Sequence, residues 1–268
     1  MIKSAIKATT IFIVLASLFV HCKSQEHQVV LANANALTQA TNMIVIKKIV
    51  EHQYEGIDSA GFTRIELAGD IISVPQWAFA IVPTLEEVKL APNIKLLDDN
   101  AFFSCKKLSK INLNNIEVVG ENCFKFSNLE DISLIGAHEI KEFAFSNCLK
   151  LKKIKFSDRL KTIGDFAFSG DSALVTCHIP SGNIGASAFM GCSHLEQITL
   201  GKVSSIGNAA FLDCNSLSSL VIPSSVKTIG NEAFVGCTNL KEVIVNNHDT
   251  KIAGDAFAKD VIITYKNR

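Results

Sequence analysis

Hydrophobic positions along this chain fall into one recurring phrase. At 229–245 it reads IGNEAFVGCTNLKEVIV, at 206–222 IGNAAFLDCNSLSSLVI, and at 184–200 IGASAFMGCSHLEQITL. A phenylalanine anchors each unit, at Phe79, Phe102, Phe124, Phe145, Phe168, Phe189, Phe211, Phe234 and Phe257. Successive anchors are 21 to 23 residues apart. Five residues before each anchor lies an apolar residue, from Val74 and Leu97 through to Ile229 and Ile252. The residue just before the anchor is Ala, with Cys123 the exception, so only a small side chain is accepted there. A phrase returning on such a period describes a structural unit, one that cannot bury its apolar face without a neighbour.

About six residues after the anchor a Leu opens a triplet at spacing three and two, as in Leu240, Val243 and Val245. Spacing two is strand periodicity. Pro180 and Pro223 directly follow Ile179 and Ile222, where proline ends a strand. Each unit therefore predicts one short strand, a turn and a compact returning segment. Strands that recur once per unit in the same direction pair in parallel, and stacking the units gives a solenoid. Nine strands ~4.8 Å apart make a sheet roughly 45 Å long.

The stretch LSSLVIPSSVKTIGNEAFVGCTNL at 217–240 resembles the repeat of the BspA-like, or Treponema pallidum type, leucine-rich repeat family, and the likeness extends over about residues 62–265. That resemblance implies an α/β solenoid. The solenoid it implies is a right-handed leucine-rich repeat horseshoe with a parallel β-sheet on the concave face and short helical turns on the convex face. Similar proteins are associated with adhesion to host matrix or cells and with coaggregation, so the resemblance implies a protein partner of that kind.

The N-terminus breaks the period. Lys3 and Lys7 precede the uncharged apolar run ATTIFIVLASLFV at 8–20, which reads as a secretory signal. Cys22 follows at once and resembles the lipidated Cys of a bacterial lipobox, with His21 where the family prefers a small residue. Cleavage after Ser24 is the competing reading. The expected organisation is a signal over 1–22, a tether and N-terminal cap over 23–55, and the repeat domain over 56–268, closed by a last strand in VIITY at 261–265.

Charge and candidate chemistry narrow the function. Lys plus Arg and Asp plus Glu number 26 each, so formal net charge is zero and no global basic field exists to recruit nucleic acid. Five of the eight Cys stand three residues after an anchor: Cys105, Cys148, Cys192, Cys214 and Cys237. The Phe124 unit reads as having lost that position, and Asp171 fills it in the Phe168 unit. Cysteines in a line cannot make a tetrahedral metal site, and no Cys-x-x-Cys pair is present. The family pattern implies packed free thiols. No phosphate loop, nucleophile elbow or His-Glu-x-x-His occurs, and none of the seven His recurs with an Asp or Ser at one register. These observations predict a non-catalytic protein with no cofactor and no metal.

The strand residue lying between the last two apolar positions points away from the core. Down the stack it reads Lys89, Asn112, Ser133, Lys155, His178, Thr199, Val221 and Ile244. This column is the candidate partner-binding face, with Val221 and Ile244 an apolar patch at one end. The expected function is that of an exported cell-surface protein that binds a protein partner and touches the membrane only through a lipid anchor. A periplasmic scaffold of the cell envelope is the alternative.

Overall fold

A computed structural model describes residues 13–15, 18–23, 28–32, 64–68 and 72–266. The rest of the expected tether and cap lies outside the described residues. Within them the chain winds as a solenoid with three faces.

The first face carries the long strands. Arg64–Ala68, Glu87–Leu90 and Lys110–Ile111 pair in parallel, as do Asp131–Leu134 and Lys153–Phe156. Leu220–Ile222, Glu242–Val245 and Ile262–Tyr265 do the same at the other end. Side chains alternate as the spacing predicts: Val243 and Val245 are buried while Glu242 and Ile244 are exposed. The expected last strand is present as Ile262–Tyr265. At the other end Gln28–Ala32 pairs in parallel with Arg64–Ala68 and antiparallel with Leu18–Lys23.

The second face carries a shorter strand that the triplet did not announce. Ser73–Val74, Leu96–Leu97, Val118–Val119, Glu139–Ile140 and Thr162–Ile163 pair in parallel, each ending on the apolar residue five before its anchor. In two coils long and short strands merge, giving Thr176–Ile184 and Gln197–Ile206. The Gly that follows this residue in most units has a steric cause. A Cβ on Gly207 would sit 2.6 Å from the backbone carbon of Gly185 in the preceding coil.

The third face, called here the turn face, corrects the expected helical turns: no helix occurs among the described residues. Residues two before and two after the anchor have positive φ in the first eight coils, as at Asn100 (61°) and Ser104 (57°), or Phe166 (56°) and Gly170 (79°). A left-handed residue every fourth position prevents any α-helix from propagating. The N–H groups turn instead to the next coil. Phe79 N bonds Ala101 O at 2.8 Å and Ile81 N bonds Phe103 O at 2.7 Å, while intervening Ala80 N closes a turn onto Trp77 O at 3.4 Å. The small residue before each anchor is buried, and its carbonyl receives the preceding anchor's N–H, as Ala144 O does from Phe124 N at 2.7 Å.

The core is a column. Adjacent anchor rings stack nearly parallel, from Phe79 on Phe102 at 5.3 Å to Phe234 on Phe257 at 5.0 Å. Leu at the start of each triplet and the apolar residue five before the anchor fill the space around it, and nearly all are fully buried. Cysteine occupies the corner. Each Cys three after an anchor sends its S–H to the anchor carbonyl of the preceding coil, as Cys105 Sγ does to Phe79 O at 3.0 Å and Cys214 Sγ to Phe189 O at 3.2 Å. The corner of the Phe124 coil is not lost. Ser127 fills it, buried, with its Oγ 3.2 Å from Cys148 Sγ.

Candidate binding surfaces

The long-strand face brings the outward column together in register. Glu66 stands beside Lys89, Ser133 beside Lys155, Lys155 beside His178, His178 beside Thr199, and Val221 beside Ile244. The column is not uniform in what it can offer. At its N-terminal end the charges are spent on each other, with Lys89 Nζ 2.8 Å from Glu66 and Arg64 Nε 3.2 Å from Glu87. Asn112 is also occupied. Its amide accepts from Leu90 N at 2.7 Å and donates to Leu90 O at 2.9 Å. It thereby stands in for a strand backbone where Lys110–Ile111 is only two residues long.

The middle of the column is open. Lys155 and His178 line a depression of about 410 Å³ with Ile135, Phe156, Ser157 and Asp158. Among the described residues no hydrogen bond links the Ser157 or Asp158 side chain to His178. A second depression, about 440 Å³, lies on the other side of Ile135, between Lys95, Glu117, His138, Arg159 and Lys161.

At the C-terminal end the face turns apolar. Val221 is 48% exposed and Ile244 37%. The column reading missed Ile262, 66% exposed and paired in register with Glu242, so that it stands diagonally beside Ile244. Thr264 borders the patch and donates to Glu242 Oε1 at 3.1 Å. Ile263 and Tyr265 are exposed for another reason: they point inward, and no further coil covers them among the described residues.

The thiols are chemically quiet. The seven cysteines from Cys105 to Cys237 are buried and, among the described residues, unpaired. Burial pushes Cys105, Cys177 and Cys237 up to about 12 and the other four well above their usual range. Thiolate, the nucleophile and metal ligand, is thereby suppressed. Among the described residues no three His, Cys, Asp or Glu side chains converge to hold a metal ion.

The sequence profile of the BspA type leucine rich repeat region matches residues 47–175 and 162–266, in six copies. The chain belongs to the BspA-type leucine-rich repeat family. No curated protein matches it. A leucine-rich repeat protein from Bacteroides ovatus shares the fold, with a TM-score of 0.57 at 17% identity over 94% of this chain and 71% of that one. A T. pallidum leucine rich repeat protein matches at 20% identity over 84% of this chain and 78% of that one, TM-score 0.39. A leucine rich cell surface protein from Faecalibacterium prausnitzii matches at 16% over 97% and 96%, TM-score 0.35. For a BspA-type repeat protein the relevant chemistry is that of surfaces, since the repeated residues are consumed by the core and the ladders.

Proposed function

We propose that this BspA-type repeat protein is an exported, non-catalytic binding protein that holds a protein partner on its long-strand face. The observation that carries the reading is the apolar patch of Val221, Ile244 and Ile262 on a sheet face rimmed by polar residues. A rigid, exposed apolar patch of this kind marks interaction sites. Lys155, His178 and Thr199 continue the surface and supply polar contacts. Lys89 and Asn112 contribute shape more than bonding, because their polar atoms are engaged.

Export rests on the N-terminal sequence, with Lys3 and Lys7 before the apolar run and Cys22 after it. Lipidation at Cys22 would tether the solenoid to a membrane and remove the residues before it, leaving Gln28–Ala32 as the first strand against Arg64–Ala68. Adhesion to host matrix or to another cell is the function that this placement serves. The alternative, a periplasmic scaffold, uses the same surface on the other side of the envelope.

Protease treatment of intact cells, with a periplasmic protein as control, separates the two. Degradation of the solenoid while the control survives supports the surface reading; protection until the envelope is opened overturns it in favour of the scaffold. Cys22→Ala is expected to abolish palmitate incorporation, and unchanged labelling would refute lipidation. Ile244→Lys is expected to weaken partner binding roughly tenfold or more while the stack stays folded.

A further inference from the structure

The turn face carries a row of rings that the repeat does not require. Positive φ two residues before and after each anchor suits Asn, Asp, Ser and Gly, and those residues hold most of these places, as at Asn100, Asn122, Asn147 and Asp213. Yet Trp77, Phe126, Phe143 and Phe166 occupy four of them at φ 61°, 65°, 54° and 56°. A bulky ring is poorly suited to this backbone, and at Trp77 and Phe126, 44% and 41% exposed, burial does not offset the cost.

With Phe103 these rings form one continuous line. Trp77 meets Phe103 edge-on at 5.9 Å, and Phe103 meets Phe126 at 6.0 Å. Phe143 stacks on Phe166 at 4.8 Å. Lys125 joins the halves, its Nζ 4.2 Å from the Phe143 centroid and 5.6 Å from that of Phe126. Crossing five coils, the strip is about 20 Å long.

Beside it runs a file of carboxylates. Three residues before the anchor stand Asp99, Glu121, Glu142 and Asp165, the last two directly preceding Phe143 and Phe166 in sequence. Asp99 and Asp165 are held in place by the next coil, accepting from Glu121 N at 2.8 Å and Ala186 N at 2.7 Å through one oxygen each. Lys141 is the one cation bridged to this file among the described residues, 3.4 Å from Asp99. Rings and acids end together: the next coils place Ala186, Asn208 and Asn231 in the acidic file, and Ser187, Ala209 and Glu232 in the ring position.

We propose that this strip is a second docking surface, for an extended basic segment of a partner protein, whose arginine and lysine side chains lie on the rings and pair with the carboxylates beside them. Charge complementarity selects the occupant. The acidic file repels an anionic membrane or an acidic polysaccharide, while a cation gains from both ring faces and carboxylates. Lys125 on Phe143 already shows the contact within the chain. The surface is separate from the long-strand face and does not depend on it.

Trp77, the chain's single tryptophan, reports on the site directly. Nona-arginine, titrated at low ionic strength, is expected to change its emission saturably, with nona-glutamate and cellohexaose giving no change. Replacing Phe126 and Phe143 together by Asn, the residue other coils carry in these places, is expected to weaken binding about tenfold and leave the unfolding midpoint unchanged or higher. Glu121→Gln with Glu142→Gln is expected to weaken it comparably and flatten its salt dependence. Ile244→Lys is expected to leave it unchanged. The proposal is overturned if nona-arginine does not bind. It is equally overturned if binding survives loss of the two rings, or if cellohexaose binds and persists in the Gln variant.

Discussion

Asp171 is the residue that departs furthest from the repeat. It takes the corner that cysteine holds elsewhere, fully buried, and one oxygen accepts Cys148 N at 2.7 Å. The other has no hydrogen-bond partner among the described residues. Burial holds its carboxyl well above the usual range, the bond from Cys148 N opposing only in part. The folded chain therefore keeps a proton that the unfolded chain releases above about pH 4, so stability falls as pH rises from there towards the folded value. Each pH unit in that window costs about 1.4 kcal/mol. Asp171→Cys is expected to raise stability at pH 7 and to match the parent near pH 4, as urea titrations across that range would reveal. Denatured protein lipidated at Cys22 should titrate with seven thiols and native protein with almost none; near-zero thiols after unfolding without reductant would contradict the packed free cysteines. The thiol column was legible in the sequence because it recurs in register. Ser127 was not, because the triplet Leu comes one residue early at Leu129 and made the corner look absent.

At the scale of the element, inside and outside were legible wherever the period was two. Burial at Ile132, Leu134, Val243 and Val245 follows the spacing. The turn face was not, because an apolar residue, a small residue and a phenylalanine are buried alike by a helical turn and by alternating right- and left-handed backbone. The distinguishing signal lay in the polar residues, with Asn, Ser, Asp or Gly two before or after most anchors. Glu232 is exposed there at φ 56°. Glu232→Gly is expected to stabilise the protein by about 1 kcal/mol, since glycine takes that conformation without a Cβ clash; a lower thermal midpoint would speak against the assigned backbone. Of the candidate surface, the outward column could be read from alternation alone. Engagement of Asn112 by Leu90 could not, because it depends on how short the neighbouring strand is.

Across the whole molecule the phenylalanine column ties the coils together. Removing one ring from its middle takes one stacking partner from each of two neighbours and leaves a void that flanking coils cannot fill. Phe145→Ala is expected to cost about 3–5 kcal/mol. Phe257, with one stacked neighbour and partial exposure, should cost less than half as much when changed to Ala. Equal losses at both places, measured by urea unfolding, would mean the stack does not act through nearest neighbours.

Coil-to-coil bonding repeats at matching positions on all three faces, and this bears on the history of the gene. Gly185 N bonds Ile163 O at 2.8 Å, and Gly207 N bonds Ile184 O at 2.8 Å. A deletion that joins Ile184 to Gly207 in frame would present the following coils to a neighbour offering the same acceptors and the same ring. Such a chain loses one layer and no kind of contact. Its length is therefore a quantity that duplication and loss can adjust in whole coils, while the side chains facing outward drift independently of the scaffold that displays them.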